Sequence, residues 1–386
     1  MPAGGYEYFV PAPLPPSPPL QYDSELLALL SRADLAVGRL DGVIRTIPDP
    51  DLFVSMYVRQ EAVLSSQIEG TQSTLEDLLN IELAPRKGEI GDVGEIVNYV
   101  AAMNYGLSRL PDFPLSLRLI REIHAELLRS GRGAARRAGD FRDQQDWLGA
   151  GLVPIERATY VPPPVPEMHA ALDAFERFLH DDQQMPDLVY VGLAHAQFET
   201  IHPFFDGNGR VGRLLITFLL MHRDALHRPL LYLSVYLKEN RAEYYDRLTS
   251  IRRRGDWEGW LKFFLRGVAQ TAGEATATAQ RIFELRERHR AQVLRENVGP
   301  NGLKLLSLLF ASPIVNVNLV RADLGVTFAT ANKLIGRFEQ LGLVHEITGQ
   351  RRSRRFRYDP YLRLFQTGVD DPAPKVPAQV TSAGST

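Results

Sequence analysis

The stretch His202-Pro203-Phe204-Phe205-Asp206-Gly207-Asn208-Gly209-Arg210-Val211-Gly212-Arg213 decides how this chain is read. It sets an imidazole, a carboxylate, backbone-exposing glycines, an amide and two guanidinium groups side by side. Gly207 and Gly209 carry no Cβ, so the backbone can take left-handed angles and its N–H groups can approach an anion closely. A helix beginning near Asn208 adds unpaired first-turn amides and the positive end of its dipole. Arg210 and Arg213 are then spaced i, i+3 on one face, where both forks reach phosphate oxygens. Asp206 is a hard oxygen ligand of the type Mg²⁺ accepts beside substrate phosphates. His202 titrates near neutral pH and can take a proton from an attacking hydroxyl. Asp-Gly and Asn-Gly are also hairpin-turn signals. Against a hairpin, the run from Arg213 to Met221 lacks period-2 alternation, and its apolar residues cover a broad helical face. A phosphate-binding loop opening a buried helix is the expected reading.

These residues resemble the Fic (Fido) family signature HxFx(D/E)GNGRxxR, with every specified position present. The resemblance implies a mainly α fold: a Fic-type helical bundle with a small β-hairpin flap. It also implies transfer of AMP from ATP, with Mg²⁺, onto a Ser, Thr or Tyr hydroxyl of a target protein. By that resemblance His202 is the general base, Asp206 binds Mg²⁺, and Gly207, Asn208, Gly209, Arg210 and Arg213 hold the phosphates. Phe204 is the buried anchor of the loop. A sister branch that phosphorylates its target has Lys at the second glycine, so Gly209 favours AMP transfer.

Upstream, Ser65-Ser66-Gln67-Ile68-Glu69-Gly70 matches the inhibitory pattern (S/T)xxxE(G/N) of many Fic proteins. Gly70 reads as a helix C′ residue and Ser73 to Glu76 as a capping box opening the next helix. Ser65 and Glu69 share a face. A carboxylate in a last turn is mildly unfavourable there, so Glu69 needs a partner elsewhere, and Arg213 is the candidate. The motif's place before the catalytic region resembles the class with an N-terminal inhibitory helix.

Composition fits an ordinary globular chain of two or three domains: 386 residues, net charge −2 and 45% hydrophobic. Without cysteine, neither disulfides nor thiolate metal sites can form, which suits a reducing compartment. The run Leu214 to Met221 is far short of the ~20 residues of a membrane span, and no Lys or Arg precedes Arg32. No signal peptide is apparent and a cytoplasmic location is expected.

The expected organisation is a proline-rich arm and helical region over 1–95, a catalytic domain over 96–270, a helical linker over 271–300, a winged helix over 301–366 and a disordered tail over 367–386. Gly139 to Pro164 reads as a short hairpin, the flap that lays a target's backbone beside the site by strand addition. Arg157 to Tyr160 is its expected nucleotide-facing edge, which places Thr159 and Tyr160 at ATP. Tyr236 or Tyr244 is expected to line an adenine pocket. His195, one heptad before His202, is expected to be a supporting helix residue at most.

In the third module, Leu303–Phe310, Leu319–Leu324 and Phe328–Leu341 read as helices followed by a two-stranded basic hairpin, which resembles a winged helix. Residues 300–366 carry ten Lys/Arg against four Asp/Glu. Arg351, Arg352, Arg354, Arg355 and Arg357 on the wing form the electrostatic footprint of a phosphate-backbone contact. Thr330, Asn332, Lys333 and Arg337 are expected to face outward from the recognition helix. A docking or homodimer module is the competing reading. Three functional readings follow: a self-inhibited AMP transferase, able also to modify itself; a DNA-binding regulator whose Fic-like domain senses nucleotide; and an enzyme that removes AMP, with Glu69 orienting a water. An intact His202 and Asp206 favour the first.

Overall fold

The structure is a computed structural model that describes residues 6–46, 49–83, 91–130, 137–149, 153–181 and 184–365; the expected tail at 367–386 and Gly151 of the expected flap lie outside them. Helix α1 (Ser24–Thr46) buries Leu26, Leu29, Leu30, Ala33, Val37, Leu40 and Ile44, an i, i+3, i+4 stripe that packs along α11 (Trp257–Arg295). Helix α2 (Pro50–Ile68) opens with proline in its first turn, where the missing N–H costs nothing. The next helix, α3 (Leu75–Leu83), is capped one residue later than expected. The Thr74 hydroxyl accepts from Asp77 N–H, and the Asp77 carboxylate accepts from Thr74 N–H. Then come α4 (Gly91–Arg109), α5 (Leu117–Leu127), α6 (Val165–His180), α7 (Asp187–Ile201), α8 (Asn208–His222), α9 (Ser234–Glu239) and α10 (Arg241–Arg254). Every residue of α7 from Leu188 to Ile201 is buried, so the helix that delivers His202 runs through the centre of the bundle.

Two expectations about boundaries are corrected. The expected 95/96 junction falls inside α4, and the expected linker beginning at 271 is the continuation of α11. That helix is 39 residues long, enough to serve both cores. Its first half buries Trp260, Phe263 and Phe264 in the larger core, and its second half buries Ile282, Leu285 and Val293 in the core of the C-terminal module. One continuous helix joins the two units.

The third module has α12 (Pro300–Ala311), β1 (Ile314–Asn316), α13 (Val317–Leu324), α14 (Phe328–Gln340), β2 (His345–Glu346), β3 (Arg355–Arg357) and α15 (Asp359–Leu362). Its sheet has three antiparallel strands in the order β1-β3-β2, with Phe356 opposite both Val315 and Glu346, rather than the two strands expected. The flap is reduced from the expected hairpin to one antiparallel bridge, Leu148 to Tyr160, followed by no further ladder among the described residues. The proline-rich arm packs beside it: Phe9 N–H donates to the Val161 carbonyl (3.0 Å), and the Gln197 amide donates to Ala12 (2.8 Å). Among the described residues no helix is long and apolar enough to cross a membrane.

Candidate active site

The loop between α7 and α8 is held by its own side chains. His202 ends α7 in the left-handed region, which turns the chain away from the helix axis. Gly207, also at positive φ, precedes the first residue of α8, a conformation glycine adopts without a Cβ penalty. Between these turns the buried Asn208 amide spans the loop. Its Oδ1 accepts from Phe204 N–H (2.9 Å) and its Nδ2 donates to the Phe204 carbonyl (2.7 Å). Phe204 is fully buried and stacks on His124 of α5, ring centroids 3.7 Å apart. His124 accepts from Gly139 N–H at Nδ1 (2.9 Å), so its Nε2 carries the proton donated to the Asp206 carbonyl (3.0 Å). Burial pulls its pKa down to about 4 and keeps that pattern fixed at neutral pH.

Both guanidinium groups expected on one face of α8 have carboxylate partners. Arg210 lies between Glu95 of α4 (3.5 Å) and Asp206 (3.2 Å). Arg213, its side chain 1% exposed, donates from Nε to the Ser65 hydroxyl (2.8 Å) and from Nη2 to the Ser65 carbonyl (3.1 Å) and to Glu69 Oε1 (2.6 Å). Burial works against charge on Glu69, but Arg213, with Arg210, outweighs it and keeps the carboxyl below its usual range. The same pairing holds Arg213 protonated against its own burial. The Glu69 carboxylate also lies against the first turn of α8. A Cβ on Gly209 would clash with Glu69 Oε1 and stand 3.0 Å from Arg213 Nη1. Glu69 caps α2, and Gly70 follows at positive φ, as a C′ glycine does.

Behind Ser65 lies Glu61, one turn earlier on the same face. Its Oε1 accepts from the Tyr99 hydroxyl (3.1 Å) and from Ser234, and burial pushes its pKa up to about 7. His202 is neutral: burial, then the Arg252 and Arg142 guanidinium groups, pull its pKa down to about 3. The buried Glu199, whose Oε1 has no hydrogen-bond partner, is pushed by burial up to about 7. Asp206 Oδ1 accepts from Gly207 N–H (2.6 Å) and Arg210, and the side chain is 35% exposed. Mg²⁺ typically takes one or two carboxylates and completes its shell with phosphates and water. Asp206 is a partly exposed carboxylate of that kind.

Several expected contacts are corrected. Tyr244 is buried, its hydroxyl against His195 Nε2 (3.0 Å), and Tyr236 packs on Phe263, so neither ring is open to adenine. The exposed neighbour is Tyr245, which feels Glu69 and Arg213. Tyr160 is buried too, its hydroxyl donating to the Thr200 carbonyl and its ring centre 3.6 Å beneath Arg252; Thr159 beside it is exposed. His195 bonds the Gly212 carbonyl (2.8 Å) and Tyr244, a supporting role within the helix pair. Sequence reasoning missed His124, Arg142, Glu61 and Glu199. The available signal was the set His195, Gln197, Glu199 and Thr200 inside an otherwise apolar helix, since a buried polar group needs a partner.

On the C-terminal module, Thr330, Asn332, Lys333, Arg351 and Arg352 are exposed. Arg337 is instead paired with Glu296 (2.9 Å), and Arg354 donates to Asn332 (3.1 Å). Arg355 and Arg357 turn inward, to Asn80 (2.6 Å) and Glu76 (2.7 Å) of α3. Asn316, Asn318, Phe328, Asn332 and Arg351 to Arg355 line a cavity of about 660 Å³ between α14 and the wing.

This loop geometry agrees with family comparison. The Fic/DOC family N-terminal model matches residues 27–108, and the Fic/DOC family model matches 114–220. The chain is thus similar to the Fic/DOC family over just under half its length. Its Fic region is 30% identical over 202 residues to the protein adenylyltransferase Fic of Drosophila ananassae, covering 51% of this chain and 37% of that protein. The Culex quinquefasciatus protein of the same name is 31% identical over 204 residues, covering 51% of this chain and 37% of its own length. The chain thus spans well under half the length of these relatives. In fold, it is similar to a Fic family protein from Desulfovibrio desulfuricans G20, with TM-score 0.55 and 18% identity over 92% of this chain and 99% of that one.

Proposed function

We propose that the protein transfers AMP from Mg·ATP to a hydroxyl of a target protein, itself included, and that Glu69 restrains the reaction. The observation that carries this reading is the Glu69 carboxylate, bonded to Arg213 and seated against the Gly209 backbone at the anion-binding start of α8. That is where the γ-phosphate of a productively oriented ATP would need Arg213. A guanidinium fork already engaged by a carboxylate leaves ATP only an unaligned pose. In the active state the α8 amides and Arg210 hold the phosphates. Asp206 would hold Mg²⁺, which supplies charge neutralisation as pyrophosphate leaves. Neutral His202 takes the proton of the attacking hydroxyl while the bond to the α-phosphorus forms. The exposed Trp147 and Leu148 at the flap give a target segment an apolar edge beside the bridge. The test is incubation of a Glu69→Gly chain with α-labelled and γ-labelled ATP and intact-mass measurement. An AMP increment from the α-label is expected; label arriving from the γ-position defeats the reading.

The winged helix carries a second proposal, duplex DNA binding in the groove between α14 and the wing. The exposed Lys333, Arg351 and Arg352, with Thr330 and Asn332 on the helix, support it.

A further inference from the structure

Arg142 is among the largest wholly buried side chains of the molecule, at 0% exposed, where burial disfavours its charge and Asp146 favours it. A buried guanidinium stays charged and is costly unless its donors are satisfied. Here all its acceptors are backbone carbonyls. Nε donates to His202 (3.1 Å), Nη1 to Gln144 (3.1 Å) and Nη2 to Pro163. Its own backbone N–H donates to the Pro203 carbonyl (2.9 Å). Gln144 and Pro163 lie on the two arms of the flap, before and after the Leu148–Tyr160 bridge. His202 is the residue in left-handed backbone, at a helix end where carbonyls lack intrahelical partners. A second tie runs alongside: Tyr160 donates to the Thr200 carbonyl, and Arg252 covers its ring.

We propose that Arg142 is a positioning residue that locks the flap to the His202 loop through three carbonyls, fixing the docked target strand relative to the base. The inference rests on the AMP-transfer reading for its catalytic consequence, but the lock itself is independent of it. A planar fork reaches three carbonyls at once; a lysine ammonium on a flexible stem does not. The groups facing His202 are Arg252 from α10, Glu69 from the end of α2, Arg142 from the flap base and the Glu199 backbone carbonyl of its own helix.

The test uses the full chain carrying Glu69→Gly, with Arg142→Lys, Arg142→Met and Tyr160→Phe added singly. Arg142→Lys should lower kcat for self-modification roughly 10- to 100-fold, as expected for ~1 Å misplacement, with the Mg·ATP Kd within about twofold. Hydrogen exchange should quicken at residues 144–148, 160–163 and 200–204 and stay unchanged in the winged helix. Arg142→Met should also raise the His202 pKa, read by imidazole NMR, because a neighbouring cation is gone. Tyr160→Phe should give the same exchange pattern more weakly, and it decides the matter if both Arg142 variants fail to fold. Unchanged exchange at the flap and loop overturns the lock. Loss of ATP binding in step with kcat, without a His202 shift, reduces Arg142 to a scaffold residue. If the Glu69→Gly parent transfers no AMP, the functional reading falls, while exchange and NMR still decide the lock.

Discussion

At the scale of single residues the decisive contact is Glu69 with Arg213. Glu69→Gly should raise AMP transfer strongly with little change in ATP affinity. Arg213→Ala should break the same pair yet not activate, because the γ-phosphate loses its partner too. The double variant should behave as Arg213→Ala alone, by radiolabel assay; a Glu69→Gly chain at or below parental activity contradicts the restraint. His202→Ala should cost ~10²–10⁴ in rate and spare nucleotide binding. Gly209 extends the argument to packing. A Cβ there would overlap Glu69 Oε1, so Gly209→Ala must displace the carboxylate. Its destabilisation should shrink by about 0.5–3 kcal/mol when Glu69 is already replaced by glycine, the range for residues in contact. Denaturant melts of the four chains measure that coupling, and additivity would show that the added methyl finds room elsewhere.

At the scale of elements, α2 is a wall shared by two cores. Val58, Ala62 and Val63 face the larger core, while Phe53 and Met56 sit in the cluster of the C-terminal module. The Gln60 amide donates to the Phe365 carbonyl (3.3 Å), and Arg355 and Arg357 of β3 bond α3, the helix after Glu69 and Gly70. Met56→Ala removes a fully buried side chain at a cost of ~2–5 kcal/mol. Hydrogen exchange should then quicken in α12 and in α2 together. Exchange confined to α12 would mean that the two units open separately.

At the scale of the whole molecule, charge decides two behaviours. Three exposed or half-exposed wing arginines remain after Arg355 and Arg357 turn inward. If the groove binds duplex DNA, Arg352→Ala with Arg354→Ala should flatten the log–log salt slope by ~0.9 per lost phosphate contact. No duplex binding at low salt would assign the module to docking or dimerisation. The second behaviour is acid stability. Burial lowers His124, His195 and His289 to about 4 and His202 to about 3, so the unfolded chain binds their protons first. Stability from these groups falls as pH drops from about 6.5 towards 4. Glu61 and Glu199, raised to about 7, act oppositely, losing stability as pH rises from about 4.5 to 7. Four groups against two predict a net fall in Tm as pH drops from ~6 to ~4, easing below ~4 where the folded histidines take up their own protons. A flat Tm between pH ~6.5 and ~4.5 would contradict these burials.

The twelve-residue loop, the Ser65–Glu69–Gly70 motif and most helices were legible in the sequence, because periodicity, caps and a contiguous motif are local signals. The pairing of Glu69 with Arg213 was legible too, since a last-turn carboxylate asks for a cation. The roles of Arg142, His124 and Glu199 were not, nor were the burial of Tyr160, Tyr236 and Tyr244 and the inward turn of Arg355 and Arg357. Each depends on which segments distant in sequence come within hydrogen-bonding reach. Alternation and spacing say which side of an element a residue takes, but only the packed chain decides what stands opposite it.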